Sequence, residues 1–395
     1  MTVRVSKPAF NVRDKLSELD KPVGMKGSEL MRSETTEDVR NLINSGRKNI
    51  MINGAMNVAQ RGTSISVEGY ACDRWNYLRS GVNEELTFSQ SSLTSSDLGP
   101  WGAGFRNCLK IQNGNQTGGA GSNDYGIARY KIEAQDLANC GWDYTSSTSY
   151  ITFSYWIKSS VPQNFYQYMR SHDGTAKVFA WETGTLIKDV WKKVVVTLPG
   201  DSGMTINDDN GIGMMITIPV FWGGTWTDNG VELGKWRTWD TNLRVPDYDG
   251  TWWTTDDATL EFTGVQLEVG SQATSFEFRH YGEELALCQR YYQKIDGTSD
   301  LTPFGFGRAN GTAQAEVGIP LTVPLAKSPD LTCANNSAWG PSSSSTSSDA
   351  PTVQRWTAGA TVLAVSFSGH SGLTNGRVTS VHCASNSNFE MSAEL

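Results

Sequence analysis

Residues 150–157 read YITFSYWI, from Tyr150 to Ile157. Apart from Ser154, every side chain is β-branched or aromatic, the composition that suits a pleated and half-buried surface. Three further runs share this character: Lys192–Leu198 (KKVVVTL), Ile212–Phe221 (IGMMITIPVF) and Thr259–Leu267 (TLEFTGVQL). Turn signals separate them, among them Asp173-Gly174, Asn210-Gly211, Asn229-Gly230 and Asp249-Gly250. Many short strands broken by such dipeptides predict a sandwich or jelly roll. One segment breaks the pattern. Glu283–Gln293 (EELALCQRYYQ) contains no Gly or Pro, and Leu285, Cys288, Tyr291 and Tyr292 recur at helical spacing, which predicts a connector helix.

Beyond that helix the tail turns β again, with candidate strands at Ala313–Val323, Val353–Trp356, Thr361–Phe367, Arg377–Val381 and Phe389–Glu394. Pro341–Pro351 (PSSSSTSSDAP) reads as a flexible surface loop by composition. No repeat of fixed period is present, which argues against a solenoid or propeller. The expected fold class is mainly β. It comprises an N-terminal arm with short helices (1–48), a jelly-roll β-sandwich (49–280), a connector helix (281–293) and a second, C-terminal β-sandwich-like domain (294–395).

Composition agrees with this layout. A chain of 395 residues accommodates two or three domains. Charged residues are 19%, below the roughly 25% of a typical globular protein, and glycine accounts for 40 positions. The chain is too poor in charge for a coiled coil and too rich in aromatics for disorder. A net charge of −8 predicts no broad basic surface for nucleic acid. No apolar run approaches 18 residues, so membrane insertion is not expected, and the charged N-terminus lacks the apolar stretch of a secretory signal. Six scattered cysteines without a CxxC pair read as free, mostly buried thiols rather than disulfides or a zinc site.

Residues 1–48 stand apart, with ten Lys/Arg against seven Asp/Glu and Phe10 as their one aromatic. Short helices are predicted near Val12–Leu19 and Thr36–Asn44, the second with Glu37 and Asp38 in its first turn. The scattered apolar residues Phe10, Leu16, Leu19, Leu30, Val39 and Leu42 are too few to form a core of their own. They suit an arm that docks on another protein.

Several segments stand in order along the chain: Asn49–Ser64 (NIMINGAMNVAQRGTS), Asp73-Arg74-Trp75, Trp156–Ser160 (WIKSS), Gly264–Gly270 (GVQLEVG) and Phe276–Tyr292 (FEFRHYGEELALCQRYY). This ordered set resembles the β-sandwich module of tailed-phage fibre proteins, especially those of marine and cyanobacterial phages. The leader resembles a virion-attachment leader, and the closing Ala393-Glu394-Leu395 is similar to the end of many phage fibres. The resemblance covers residues 1–293 well and the last hundred weakly. It implies a carbohydrate-binding-module-like jelly roll, a homotrimer, and a place on the virion after assembly in the host cytoplasm, held by the arm to another virion protein.

The same pieces carry structural expectations of their own. Gly54 and Gly62 are expected to allow tight turns flanking a first strand, and Trp75 and Trp156 to be core aromatics. Arg61 and Arg74 are expected to meet carboxylates near strand ends, with Glu268 as a candidate partner.

The most suggestive functional stretch is Phe221–Trp253, which holds six of the 14 tryptophans. Trp222, Trp226, Trp236, Trp239, Trp252 and Trp253 are interleaved with Asp240, Tyr248 and further aspartates. Sugar rings stack their apolar faces on aromatics and need polar groups beside the stack, so these residues suit glycan contact. A subunit interface and packing under a long loop use the same residue types.

No enzyme is expected. The pairs Asp208-Asp209 and Asp256-Asp257 are adjacent and point apart on an extended chain, GxSxG is absent, and His172, His370 and His382 read as loop residues. No cofactor and no metal are expected. Asp201–Asn210 (DSGMTINDDN) and Asp247-Tyr248-Asp249 carry oxygen donors of the kind that ligate calcium, but the first does not fit the EF-hand spacing. The function expected is a fibre-like trimeric virion protein adhering to host-surface glycan. The alternatives are a purely structural head, neck or baseplate decoration protein and a polysaccharide-degrading tail spike.

Overall fold

The computed structural model describes residues 32, 47–296, 302–333, 336–340, 343–347, 352–355, 357, 359–383 and 388–395. The arm residues Phe10, Leu16, Leu19, Leu30, Val39 and Leu42 and the two predicted arm helices lie outside the described residues.

Two antiparallel sheets face each other around one core. The six-stranded sheet contains β1 (Ser64–Ile65), β4 (Thr87–Ser92), β5 (Asn107–Gln112), β13 (Thr259–Val269), β7 (Tyr150–Ser159) and β10 (Lys192–Pro199), in that spatial order. The seven-stranded sheet runs β12 (Trp236–Thr238), β9 (Lys177–Glu182), β8 (Tyr166–Ser171), β11 (Ile212–Trp222), β6 (Tyr125–Glu133), β3 (Trp75–Ser80) and β2 (Gly69–Tyr70). The strand read from YITFSYWI is β7, which lies between β13 and β10. Its inward residues Ile151, Phe153, Tyr155 and Ile157 join Trp75, Tyr77, Tyr130, Ile216, Ile218, Leu260 and Phe262 in the core. Burying each large side chain contributes about 1.5–3 kcal/mol.

The runs KKVVVTL, IGMMITIPVF and TLEFTGVQL are strands β10, β11 and β13. Trp75 is fully buried, as expected. Trp156 is only half-buried and packs beside Trp191 in a satellite cluster outside the main core.

The segment after Asn49 is not the strand its glycines suggest. Residues 51–60 are irregular, and Asn53 and Met56 both take φ of 57°. Side chains replace a strand ladder here: Asn49 Oδ1 accepts from Leu267 N at 3.1 Å, and Asn53 Nδ2 donates to the Val58 and Asp73 carbonyls at 2.9 and 3.0 Å. Gly54 is required, because a Cβ there would stand 2.0 Å from the Val265 carbonyl oxygen. This segment is tied to the start of the connector. Glu277 accepts the Asn49 N–H at 2.7 Å, Glu284 accepts the Asn53 N–H at 2.5 Å, and Arg279 donates to the Met51 carbonyl at 3.0 Å. Thus NIMING and FEFRHYGEE, far apart in sequence, form one joint.

The connector helix spans Tyr281–Gln289, shorter than predicted. Tyr292 begins a strand instead, β14 (Tyr292–Asp296), because its backbone pairs with Ser392. The second unit follows. A three-stranded sheet of β14, β23 (Asn388–Ser392) and β17 (Asp330–Cys333) packs on a seven-stranded one. The larger sheet includes β15 (Thr302–Ala309), β16 (Ala315–Pro320), β21 (Val362–Phe367) and β22 (Val378–Cys383). Val317, Ile319, Leu363, Val365, Phe389 and Met391 fill the space between them. The serine-rich segment predicted as a loop contains a strand, Ser343–Ser347, paired with Asn336–Gly340. Backbone pairing supplies this order and leaves no trace in composition.

Glu268 is not the partner of Arg61 or Arg74. It accepts from Gln266 and Thr274 at 2.8 Å, while both arginines reach Glu394. Cys72, Cys108, Cys140 and Cys288 are free thiols.

Candidate functional site

The stretch after β11 is a long loop that doubles back over the outer face of the seven-stranded sheet. Gly223 N donates to the Asp124 carbonyl at 2.8 Å, Gly234 N to Ala180 at 2.9 Å and Trp239 N to Ala176 at 2.8 Å. Below the loop, Ile127, Tyr168, Val178, Ala180, Met215, Trp222 and Val245 form a second small core on the side of the sheet opposite the main one. The bulge between Pro219 and Phe221 makes this division. It turns Phe221 inward against Trp253 and leaves Trp222 on the outer face.

The six tryptophans therefore divide by environment. Trp252 and Trp253 are fully buried in the main core, so within this chain they are packing residues, available neither to glycan nor to a neighbouring subunit. Trp236 donates its indole N–H to the Pro199 carbonyl at 2.7 Å and sets its ring edge-on to Phe179, anchoring the edge strand. Trp222 is buried beneath the loop, whereas Trp226 and Trp239 are half-buried and border solvent. Asp240 is exposed and accepts the Asn242 N–H at 2.8 Å, an Asx turn at the loop tip.

Sequence reasoning missed the residue that organises this group. The guanidinium of Arg244 lies 4.3 Å from the Trp222 ring centre, 4.4 Å from Trp226 and 5.5 Å from Trp239. Arg170 lies 4.2 Å from the other contact of that set, Trp239. Each such contact contributes about 0.5–2 kcal/mol, more where water is excluded. Tyr125 and Tyr166 extend the aromatic surface, Tyr125 against Trp222 and Trp226, Tyr166 against Tyr248. The alternation of Tyr166, Tyr168 and Arg170 along β8 is the sequence signal that marks this face.

Beside the aromatic group lies an open cleft of about 390 Å³ lined by Phe221, Trp222, Tyr248, Thr227, Asp228 and Asp247. Asp247 accepts the Thr227 hydroxyl at 2.7 Å, and Asp228 accepts the Gly230 N–H at 2.6 Å, so one oxygen of each carboxylate is committed to the loop. The Tyr248 hydroxyl donates to the Tyr166 carbonyl, and burial holds its phenol well above the usual range. Aromatic walls with two carboxylates at the mouth offer stacking and hydrogen bonding together, the chemistry that recognises a sugar ring.

Asp208, Asp209, Asp256 and Asp257 are all exposed. His172 and His370 lie in loops, as expected, but they are half-buried and buried rather than solvated; His382 instead lies in strand β22 and is buried. Among the described residues no group of three His, Cys, Asp or Glu side chains is placed to hold a metal ion, and no helix is long and apolar enough to cross a membrane.

No family profile and no curated protein matches the chain. Solved structures do align with it. The enzymatically active domain of tailspike protein 4 of bacteriophage CBA120 is 9% identical, with a TM-score of 0.31, over 56% of this chain and 21% of its own. The CBM22-1 xylan-binding domain from Paenibacillus barcinonensis is 8% identical, with a TM-score of 0.27, over 58% of this chain and 100% of its own. The family 11 carbohydrate-binding module of a Clostridium thermocellum cellulosomal cellulase is 13% identical, with a TM-score of 0.25, over 54% of this chain and 95% of its own. The sandwich itself stands on the sheet order and register described above.

Proposed function

We propose that the chain is a trimeric, fibre-like virion protein of a tailed phage that adheres to host-surface glycan and performs no catalysis. The observation that carries the adhesion reading is the loop of residues 223–250, folded over a sheet face so that Trp226 and Trp239 border solvent around Arg244 and next to the Asp228–Asp247 cleft. The ordered sequence pieces shared with phage fibre modules supply the virion context, and the arm of residues 1–48 is the docking element.

Trimerisation matters to the mechanism. Single glycan contacts are weak, and three on one rigid body act together because the second and third are effectively intramolecular. The second unit offers apolar surface for such an assembly: Phe306, Val362 and Val378 are 64%, 54% and 69% exposed and share the outer face of its large sheet.

A glycan array with intact protein, beside Trp226→Ala and Trp239→Ala variants of unchanged mass in solution, tests the reading. Binding that disappears in the variants supports adhesion. Unchanged binding removes this loop from it, and new reducing ends released from host polysaccharide would instead favour the tail-spike enzyme.

A further inference from the structure

The face that carries the aromatic loop also gathers positive charge, in a chain whose net charge is −8. Register sets Arg129 of β6 opposite Thr217 of β11, and Thr217 opposite Tyr168 of β8. One pair along, Met215 stands between Lys131 and Arg170. Arg170 and Arg244 lie over the same Trp239 ring. Arg129, Arg170 and Arg244 thus converge on one strip, with His172 at its end.

The strip lacks acidic partners. Among the described residues none of the three guanidiniums is within 4.0 Å of a carboxylate, whereas Lys131 is engaged by the Leu395 carbonyl. The Nε groups of Arg129 and Arg170 are buried without a hydrogen-bond partner, and so is the hydroxyl of Thr217, a residue with no exposed surface. Burial lowers the pKa of both Arg170 and Arg244, the Tyr168 phenol opposes this in both, and the neighbouring guanidiniums add to the lowering, Arg244 and Arg129 on Arg170 and Arg129 on Arg244. Burial first, then Arg170, Lys131 and Arg129, push His172 down to about 4. Stacking on tryptophan gives Arg244 a structural role. It explains neither Arg129 nor the unsatisfied Thr217 hydroxyl. Buried polar groups are normally paired, and guanidiniums crowd together where an oxyanion bridges them.

We propose that this strip binds the anionic group of an acidic polysaccharide, with Arg129 and Arg170 donating to its oxygens and the sugar ring carried by Trp239. The shared chemistry is an oxyanion on a sugar, either a uronate carboxylate or a sulfate ester. This proposal rests on the glycan-adhesion reading above and adds its charge specificity.

Affinity electrophoresis of the full chain tests it, using dextran, dextran sulfate and polygalacturonate gels at two salt concentrations. Retardation by a charged polymer at least about tenfold stronger than by dextran is expected, weakening with salt as ion contacts do. Dextran sulfate against polygalacturonate tells sulfate from carboxylate. Arg129→Gln with Arg170→Gln should abolish the charged-polymer shift, and Arg129→Lys with Arg170→Lys should restore part of it at unchanged thermal midpoint. Equal retardation by dextran, unaffected by the Gln pair, overturns the charge specificity and leaves adhesion standing. No retardation by any of these polymers together with an empty glycan array overturns both. A Gln pair that dissociates the assembly overturns the proposal too, because the strip is then a subunit contact.

Discussion

The guanidinium of Arg74 is ion-paired with the carboxylate of Glu394, 320 residues further along the chain, with only 2% and 8% of the two side chains exposed. Arg61 meets the other oxygen at 3.2 Å, and the rings of Tyr291 and Tyr292 lie 3.3 and 3.6 Å from the two guanidinium centres. The final residues are therefore seated on the first sandwich. Removing one member of a buried pair leaves an uncompensated charge, at a cost of about 3–5 kcal/mol. Glu394→Ala is expected to lower the urea midpoint accordingly. The double variant Arg74→Met/Glu394→Leu should recover much of the loss, and strictly additive losses would show that the pair is not coupled.

The tryptophans of the 221–253 stretch should separate in their effects. Trp253 is fully buried against Phe221, and Trp253→Ala is expected to cost about 3–5 kcal/mol through the cavity it leaves. Trp226→Ala loses a half-exposed ring and one cation contact, about 1 kcal/mol, and under the proposed adhesion it should abolish glycan binding. Thermal melts and the glycan array run side by side on both variants check this division. A destabilised Trp226→Ala with normal binding would reverse the assignment.

His172 imposes a pH dependence. Its folded-state value of about 4 lies below the roughly 6.5 of an unfolded histidine, so between these values the unfolded chain binds more protons. Stability from this site is accordingly complete above about pH 6.5 and declines as pH falls toward 4. His172→Gln should flatten that part of the acid limb. An anion on the neighbouring arginines should also blunt it, since it favours the imidazolium, so sulfate would shift the thermal midpoint more at pH 5 than at pH 7.

Asp97 acts in a lower window. Burial opposes its charge, yet the Trp191 indole N–H at 2.9 Å, the Thr94 N–H at 2.9 Å and Lys158 at 3.1 Å outweigh burial and hold it down at about 2. With an unfolded value near 3.9, its contribution is present above that pH and is lost as pH falls toward 2. Asp97→Asn should reduce stability at pH 7 and remove the difference at pH 2. An equal loss at both pH values would mean that the charge is not the source.

Much of the sandwich was legible because its strands carry local signatures. Tyr150–Ile157, Lys192–Leu198, Ile212–Phe221 and Thr259–Leu267 announce themselves through β-branched and aromatic side chains, and each became a strand. The site was legible only as a composition. Six tryptophans in one stretch marked the region, but nothing local distinguished Trp253, which fills the core, from Trp226, which borders solvent. Arg129 and Arg170 looked like isolated charges on separate strands, since what joins them is the register of β11 with its two neighbours.

The sequence by itself determined the β architecture, the helix between the two units and the place of the tryptophan-rich stretch, because alternation, turn dipeptides and composition act within a few residues. Only the tertiary structure decided that Asn49–Gly54 would be irregular and locked by Glu277 and Glu284, and that Ser343–Ser347 would pair as a strand with Asn336–Gly340. It alone paired Arg74 with Glu394 rather than Glu268, and drew three arginines onto one face. These outcomes depend on contacts between residues tens to hundreds of positions apart, and the free energy of such contacts exists only once the sheets have set the register.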